Sequence, residues 1–206
     1  MEILRSKLRA GSLVPGQRLV EADLVQAIGA TRTKLREALR GLEFEGLVEL
    51  QEFRGAVVRR ISKADAFQMW QLREAIEGLA ARVCAEKVDL SVAQNLVRLQ
   101  QKLEAAAAKL SIPEFIEAND AQHELIVAMA GNRYLSRTLQ GLQVNVHRLE
   151  SKLFYSAELM QQAAEEHRAI TNAIVAADSA GAEAAMRRHI SNNYVQLERL
   201  ADHFFE

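Results

Sequence analysis

Residues 31–42 read TRTKLREALRGL and decide the fold of the first third of the chain. Apolar residues recur there at spacings of three and four, which predicts an amphipathic helix resting on a small core. Arg32, Arg36 and Arg40 fall four residues apart on the other side of that helix. Because guanidinium groups donate paired hydrogen bonds to polyanions, this face indicates a DNA-binding helix. Glu37 shares the helix, so a solvated charged surface is the alternative interpretation.

The segments around this helix favour a winged helix-turn-helix. Two short helices are predicted before it, and Thr31 is predicted to be its N-cap. Two strand-like runs follow at 47–51 and 56–60, and residues 52–55 between them are predicted to form a hairpin connection. Three helices followed by a β-hairpin form this type of domain.

From residue 63 onward the pattern is helical. Six helices are predicted, near 63–86, 91–109, 112–130, 132–154, 157–177 and 180–203. The sequence therefore predicts a mainly α protein with two domains. The first is a winged helix-turn-helix at 1–62, and the second is an all-α antiparallel bundle of about six helices at 63–206.

Composition and charge limit the classes of protein that fit. The chain has 206 residues and a net charge of −1, with a small excess of basic residues in 1–62 and of acidic residues afterwards. Cys84 is the single cysteine, so no internal disulfide can form. The sequence contains neither an apolar run of membrane-spanning length nor a signal-peptide pattern. We therefore expect a cytoplasmic protein with no membrane partner.

Three histidines lie on the apolar faces of three predicted bundle helices. His123, His167 and His189 each follow the spacing of three and four that marks a buried stripe. One histidine on such a face is usually a hydrogen-bonded core residue. Since helical bundles build metal sites from facing helices, three inward histidines predict a divalent metal site.

The N-terminal motifs resemble those of GntR-type transcriptional regulators. They are LVPGQRL at 13–19, TRTKLREAL at 31–39, LEFEGLV at 42–48 and RGA at 54–56. Further motifs resemble the FCD effector-binding domain of the FadR branch. They are LREAIE at 72–77, the His123 segment ending in AGN at 130–132, and EHRAI at 166–170. The number of predicted bundle helices is similar to that of the VanR-like subgroup, and the second domain would then serve effector binding and dimerisation.

The resemblance implies roles for individual residues in DNA binding. Arg32 and Arg36 would reach the major groove, Thr33 and the helix N-terminus would hold phosphate, and Arg54 would enter from the wing. The predicted DNA-binding set is Thr31, Arg32, Thr33, Lys34, Arg36, Arg54 and Gly55. Lys34 stands where the family usually has proline, and we expect Arg40 to be a solvated charge.

The resemblance also implies a metal and effector site. The predicted metal ligands are Asn119, His123, His167 and His189. Asn119 stands where the family commonly has aspartate, so the site has one negative charge fewer and should retain metal less strongly. Three imidazoles suit zinc, nickel or another first-row ion. Arg73 and Asn193 are the candidate effector ligands, for a small organic or sugar acid. The alternative for Arg73 is a helix-surface ion pair with Glu77, four residues later.

These predictions describe a homodimeric, ligand-responsive transcriptional regulator, expected to be a repressor, that binds double-stranded operator DNA. One alternative is a metal-dependent helical-bundle enzyme with a docking N-terminal domain, and another is a structural helical adaptor. Neither Glu nor Asp is spaced as a general base beside the histidines, since Glu166 adjoins His167 but is expected to face elsewhere. The sequence therefore favours the regulator over an enzyme.

Overall fold

The computed structural model describes residues 1–9, 12–51, 55–150 and 156–199. The elements are α1 (Glu2–Arg9), β1 (Arg18–Leu19), α2 (Glu21–Ile28), α3 (Arg32–Phe44), β2 (Val48–Gln51), β3 (Gly55–Val58), α4 (Lys63–Glu86), α5 (Leu90–Lys109), α6 (Ile112–Ala130), α7 (Arg133–Glu150), α8 (Ala157–Val175) and α9 (Ser179–Glu198). The predicted fold class, a mainly α chain with a small wing, is confirmed. None of the described helices is both long and apolar enough to cross a membrane.

The chain forms two compact units. Unit 1 contains Met1–Asp65 and Gly141–Arg148, and unit 2 contains Ala66–Gln140 and Leu149–Leu200, as far as these ranges are described. We predicted that all residues after 62 belong to the helical domain, but residues 63–65 and 141–148 lie in unit 1. The reason is packing, because the buried Val144 of α7 belongs to the hydrophobic core of unit 1.

Unit 1 is built around one face of α3. Leu35, Leu39 and Leu42 are almost fully buried and pack in one cluster with leucines of α1 and residues of the sheet. Thr31 caps α3 as predicted, since its side chain accepts a hydrogen bond from the amide of Lys34. Burial of the leucine face therefore leaves the opposite, basic face of α3 exposed.

The wing is a three-stranded antiparallel sheet in the order β1-β3-β2. Strand β1 was not predicted, because its two residues are too short to show an alternating pattern. Gly55 begins β3 with a φ of +84°, and a Cβ there would lie 3.2 Å from the carbonyl oxygen of Leu19. The wing therefore needs glycine at this position for both conformation and space.

Unit 2 consists of α4–α6, α8, α9 and the first part of α7. Its closest helix pairs are α5 with α6, α8 with α9, and α5 with α8. Buried Trp70, Phe115 and Ile126 contribute large side chains to its core. Inward-facing polar residues interrupt this apolar packing on α4, α6, α8 and α9, and these residues form the cluster described below.

Candidate functional site

The first turn of α3 is exposed to solvent. Thr31, Arg32, Thr33, Lys34 and Arg36 are all exposed in unit 1. Four backbone amides at a helix N-terminus lack partners within the helix, so this end can bind an anion such as phosphate. These five residues lie where a duplex could reach them, and their contact with DNA stays a prediction.

Arg36 lies on this exposed face but is hydrogen-bonded to another residue of unit 1. Its Nε donates to both carboxylate oxygens of Glu21, at 3.0 and 3.1 Å, and its side chain is still 64% exposed. Arg18, Arg36 and Arg40 line one open groove of about 750 Å³ together with Glu21 and Gly55. The groove therefore combines three arginines with Glu21, which would compete with a bound polyanion for Arg36.

Of the two predicted wing residues, only Gly55 can be placed. It lines the same groove as Arg36. Arg54 lies outside the described residues, so its predicted entry into DNA stays a prediction.

The three predicted histidines meet inside unit 2. One side-chain nitrogen from each of His123, His167 and His189 lies within 4.8 Å of the others. The last two are fully buried, and the ring centroids of His167 and His189 are 4.4 Å apart. Asn119, also predicted as a ligand, is buried beside them, with its Oδ1 3.0 Å from Nε2 of His167.

Each histidine is held at Nδ1 by a residue from the preceding helix of the cluster. Oε2 of Glu77 on α4 lies 2.5 Å from Nδ1 of His123 on α6. Oε2 of Glu166 on α8 lies 2.8 Å from Nδ1 of His189 on α9. Since an ionised carboxylate only accepts hydrogen bonds, both Nδ1 atoms must donate, and the lone pair of either ring in its neutral form lies on Nε2.

His167 is fixed in the same tautomer by a chain of amides. Nε2 of Gln100 donates to the carbonyl oxygen of Ala164 at 2.9 Å, and this oxygen can only accept. Oε1 of Gln100 therefore accepts from Nε2 of Gln122, and Oε1 of Gln122 lies 2.8 Å from Nδ1 of His167. It follows that Nδ1 of His167 donates and its Nε2 carries the lone pair.

Burial, hydrogen bonds and neighbouring charges shift the pKa values of His167, Glu166 and Glu77. Desolvation lowers the pKa of His167 well below its ordinary value, with the neighbouring His189 and His123 lowering it further, so the ring is neutral. Burial raises the pKa of Glu166, but hydrogen bonds from His189 and two amides outweigh it and the pKa is lowered. The pKa of Glu77 is also lowered, because its interactions with Arg73 and His123 outweigh the effect of desolvation. His167 is thus a neutral imidazole, and both carboxylates are ionised.

The donor set fits a metal ion. Nε2 of His167 and Oδ1 of Asn119 face each other at 3.0 Å although both are acceptors, because Nδ2 of Asn119 donates to Asp120. Two acceptors at this distance repel unless a cation lies between them. Metal bonds of about 2.1 Å separate adjacent ligand atoms by about 3.0 Å in octahedral and about 3.4 Å in tetrahedral coordination. Asn119 and the three histidines could therefore hold zinc or nickel.

The two candidate effector ligands border the cluster. Nδ2 of Asn193 donates to Nε2 of His189 at 3.2 Å, a contact that a metal on this nitrogen would replace. Nε of Arg73 donates to Oε1 of Glu77 at 2.7 Å, and the Arg73 guanidinium lies over the ring of Trp70. The alternative of an Arg73–Glu77 ion pair is therefore observed, but both side chains are buried rather than on the helix surface.

Sequence reasoning missed the residues that hold the histidines. Glu166 was expected to face away from the cluster; this was wrong, because it contacts His189 rather than its neighbour His167. Glu77 was considered only as a partner of Arg73. The available signal was a polar residue immediately before two of the histidines, at Gln122 and Glu166.

Comparison with known families identifies the class of protein. The FCD domain matches residues 68–192, and the family described as bacterial regulatory proteins, gntR family, matches residues 1–58. The chain belongs to the GntR family and carries an FCD domain. Its resemblance to that family is thereby confirmed, and the VanR-like subgroup stays a prediction.

Individual relatives agree with this assignment. The chain is 29% identical over 224 residues to the HTH-type transcriptional regulator LutR of Bacillus subtilis (strain 168), covering 97% of this chain and 98% of LutR. It is 26% identical over 188 residues to the HTH-type transcriptional repressor RspR of Escherichia coli (strain K12), covering 91% and 82%.

A solved structure supports the fold. E. coli McbR/YncC superimposes with a TM-score of 0.83 at 21% identity, covering 96% of this chain and 94% of that one. At this identity the likeness establishes the fold alone. Because the matched families and relatives are transcriptional regulators, this GntR-family chain is a regulator and not an enzyme, and the metalloenzyme alternative is not supported.

Proposed function

We propose that this chain is a ligand-responsive repressor that binds operator DNA through α3 and the wing. The observation that carries the proposal is the exposed first turn of α3, with Arg32, Lys34 and Arg36 in solvent at a helix N-terminus. Arg36 would exchange Glu21 for a guanine edge, and Thr31 and Thr33 would hold phosphate. Arg54 and Gly55 would contact DNA from the wing.

Unit 2 would bind the signal. We propose that Asn119, His123, His167 and His189 hold a divalent metal, with zinc or nickel favoured by the nitrogen ligands. Bound metal would present open coordination positions to a carboxylate, and Arg73 and Asn193 would orient a small organic or sugar acid. Buried Arg73 supports this role, because a guanidinium in a low-dielectric site binds a carboxylate strongly.

Regulation requires two copies of the chain. We propose a cytoplasmic homodimer, since two-fold symmetry is the usual counterpart of paired half-sites in an operator. Ligand binding would favour one arrangement of the two DNA-binding units over the other. An effector with equal affinity for both arrangements would not change the equilibrium between them. The size of the response is therefore set by the difference between its two affinities.

The test is DNA binding by fluorescence anisotropy, using a labelled duplex taken from upstream of the chain's own gene. Arg36→Ala should reduce specific affinity more than about 100-fold, because the bidentate contact and a charge are both lost. Arg36→Lys keeps the charge but loses the paired hydrogen bonds of the guanidinium group, so it should lose specificity while retaining non-specific binding. Lys63→Ala removes an equal charge from α4 and should bind almost as the unsubstituted protein does.

An unchanged affinity in Arg36→Ala, with circular dichroism confirming a folded protein, would contradict DNA binding through α3. A loss of equal size in Lys63→Ala would indicate a general charge effect instead.

A further inference from the structure

The histidines of the proposed metal centre are connected by a relay across four helices. Glu77 on α4 holds His123 on α6, Gln122 on α6 holds His167 on α8, and Glu166 on α8 holds His189 on α9. Every contact is made at Nδ1. Three rings from three helices therefore share one tautomer, with their lone pairs on Nε2.

We infer that Glu77, Gln122 and Glu166 are positioning residues of the metal centre, and that Glu166 supplies negative charge that Asn119 lacks. This inference rests on the proposed metal site. Residues that hold the non-coordinating nitrogen of a histidine fix its orientation and strengthen it as a ligand, and their loss commonly weakens metal binding by about 10- to 100-fold.

The two carboxylates differ in how much charge they leave for the metal. Glu77 forms a buried ion pair with Arg73, with 2.7 Å between Nε and Oε1, so much of its charge is balanced within the pair. Glu166 accepts from Nδ2 of Asn192 at 2.7 Å and from Nε2 of Gln162 at 2.9 Å, which are neutral donors. Glu166 therefore keeps a net negative charge one imidazole away from the centre.

Gln122 has a different task, because it is neutral. Its Nε2 contacts Oγ1 of Thr171 as well as Oε1 of Gln100, and these contacts fix which end of the amide faces His167. Orientation, rather than charge, is what Gln122 provides.

Zinc affinity of the full chain, measured by competition with a chromophoric chelator, separates these roles. Glu166→Gln keeps an acceptor for His189 and removes the charge, so we expect about tenfold weaker zinc binding. Glu166→Ala removes both, and about 100-fold weaker binding is expected. Asn119→Asp in the Glu166→Gln background returns a negative charge directly to the metal and should restore at least the loss from that substitution.

Glu183→Gln is the matched control. Glu183 is a half-buried glutamate of α9 that pairs with Arg187 and Arg82, away from the histidines. The control should bind zinc as the unsubstituted chain does. A Glu166→Gln protein that binds zinc within about twofold of the unsubstituted chain would overturn the inference.

A second measurement does not depend on any variant folding. Long-range ¹⁵N–¹H NMR spectra of the metal-free chain report which ring nitrogen carries the proton. His123, His167 and His189 should all be protonated at Nδ1, and a proton on Nε2 of any of them would contradict the relay.

A separate variant tests the proposed metal site itself. His167→Ala should lose zinc binding whatever the roles of the outer residues. If that variant binds zinc like the unsubstituted chain, the metal site itself is wrong. If His167→Ala loses zinc while Glu166→Gln and Glu166→Ala do not, the role inferred for Glu166 is wrong and the metal site stands.

Discussion

The basic face of α3 and the histidine cluster of unit 2 are both polar, but they satisfy their polar groups in opposite ways. On α3 the cationic groups are in solvent, and Arg36, the one paired with Glu21, remains 64% exposed. In the cluster His167 and His189 are 0% exposed, and both rings are held at Nδ1, by Gln122 and Glu166 respectively. The proposed DNA-binding surface is therefore loosely paired, whereas the proposed ion site has its rings held by hydrogen bonds to neighbouring helices.

The largest expected difference between the two regions is in how strongly their binding affinities depend on ionic strength. Raising salt from 50 to 200 mM should weaken operator binding by about 1,000-fold if about six phosphates are contacted, because bound phosphates release counterions. Zinc binding to the buried cluster should change by less than about threefold over the same range, since buried groups are screened little. Anisotropy for DNA and chelator competition for zinc, in the same buffers, check this. Equal salt dependence of the two affinities would contradict the comparison.

Removal of one metal ligand should give the next largest effect. His167→Ala should weaken zinc binding more than about 100-fold, because losing a ligand costs more than losing one of its supporting residues. Operator binding by unit 1, measured without added metal, should stay within a few-fold. Arg168→Ala changes the adjacent exposed residue and is the control, with zinc affinity expected to be unchanged.

Helix capping offers a matched pair of smaller changes. Thr31 caps α3 in unit 1 and Ser156 caps α8 in unit 2, each by accepting a backbone hydrogen bond. Thr31→Ala and Ser156→Ala should each cost about 1 kcal/mol in local stability. Hydrogen exchange should speed up in α3 for the first variant and in α8 for the second. Protection lost in both helices of either variant would contradict independent local effects.

The smallest effect is expected from Glu21, the carboxylate that accepts hydrogen bonds from Arg36. Glu21→Gln frees the guanidinium, and DNA affinity should rise about threefold, since exposed ion pairs are weak. Glu2→Gln removes an equal charge from the exposed pair with Arg5 on α1 and should raise affinity less. A weaker DNA affinity in Glu21→Gln would mean that Glu21 orients Arg36 rather than competing with DNA.

Much of the fold could be predicted from sequence because its signals are local. Thr31 lies directly before an amphipathic repeat, and the structure begins α3 at the next residue. The three histidines occupy apolar stripes whose period alone places them inward. The first residues of helices were predicted less accurately. Helix α5 begins at Leu90, with Asp89 as its N-cap, one residue before the predicted start at residue 91.

The relay could not be predicted, since each of its contacts joins different helices. Gln122 adjoins His123 in sequence but holds His167, and Glu166 adjoins His167 but holds His189. Sequence spacing gives the face of one helix and does not give the register between two. The placement of residues 141–148 in unit 1 escaped prediction for the same reason, because only tertiary packing assigns Val144 to that core.

X-ray absorption spectroscopy of the zinc-loaded full chain tests the proposed metal centre most directly. Three imidazole ligands and further oxygen ligands should surround zinc, with Zn–N distances of about 2.0–2.1 Å. Sulfur should be absent, because Cys84 is the single cysteine of the chain and is not part of the histidine cluster. A spectrum with one imidazole or none, or with sulfur coordination, would contradict a metal centre formed by His123, His167 and His189.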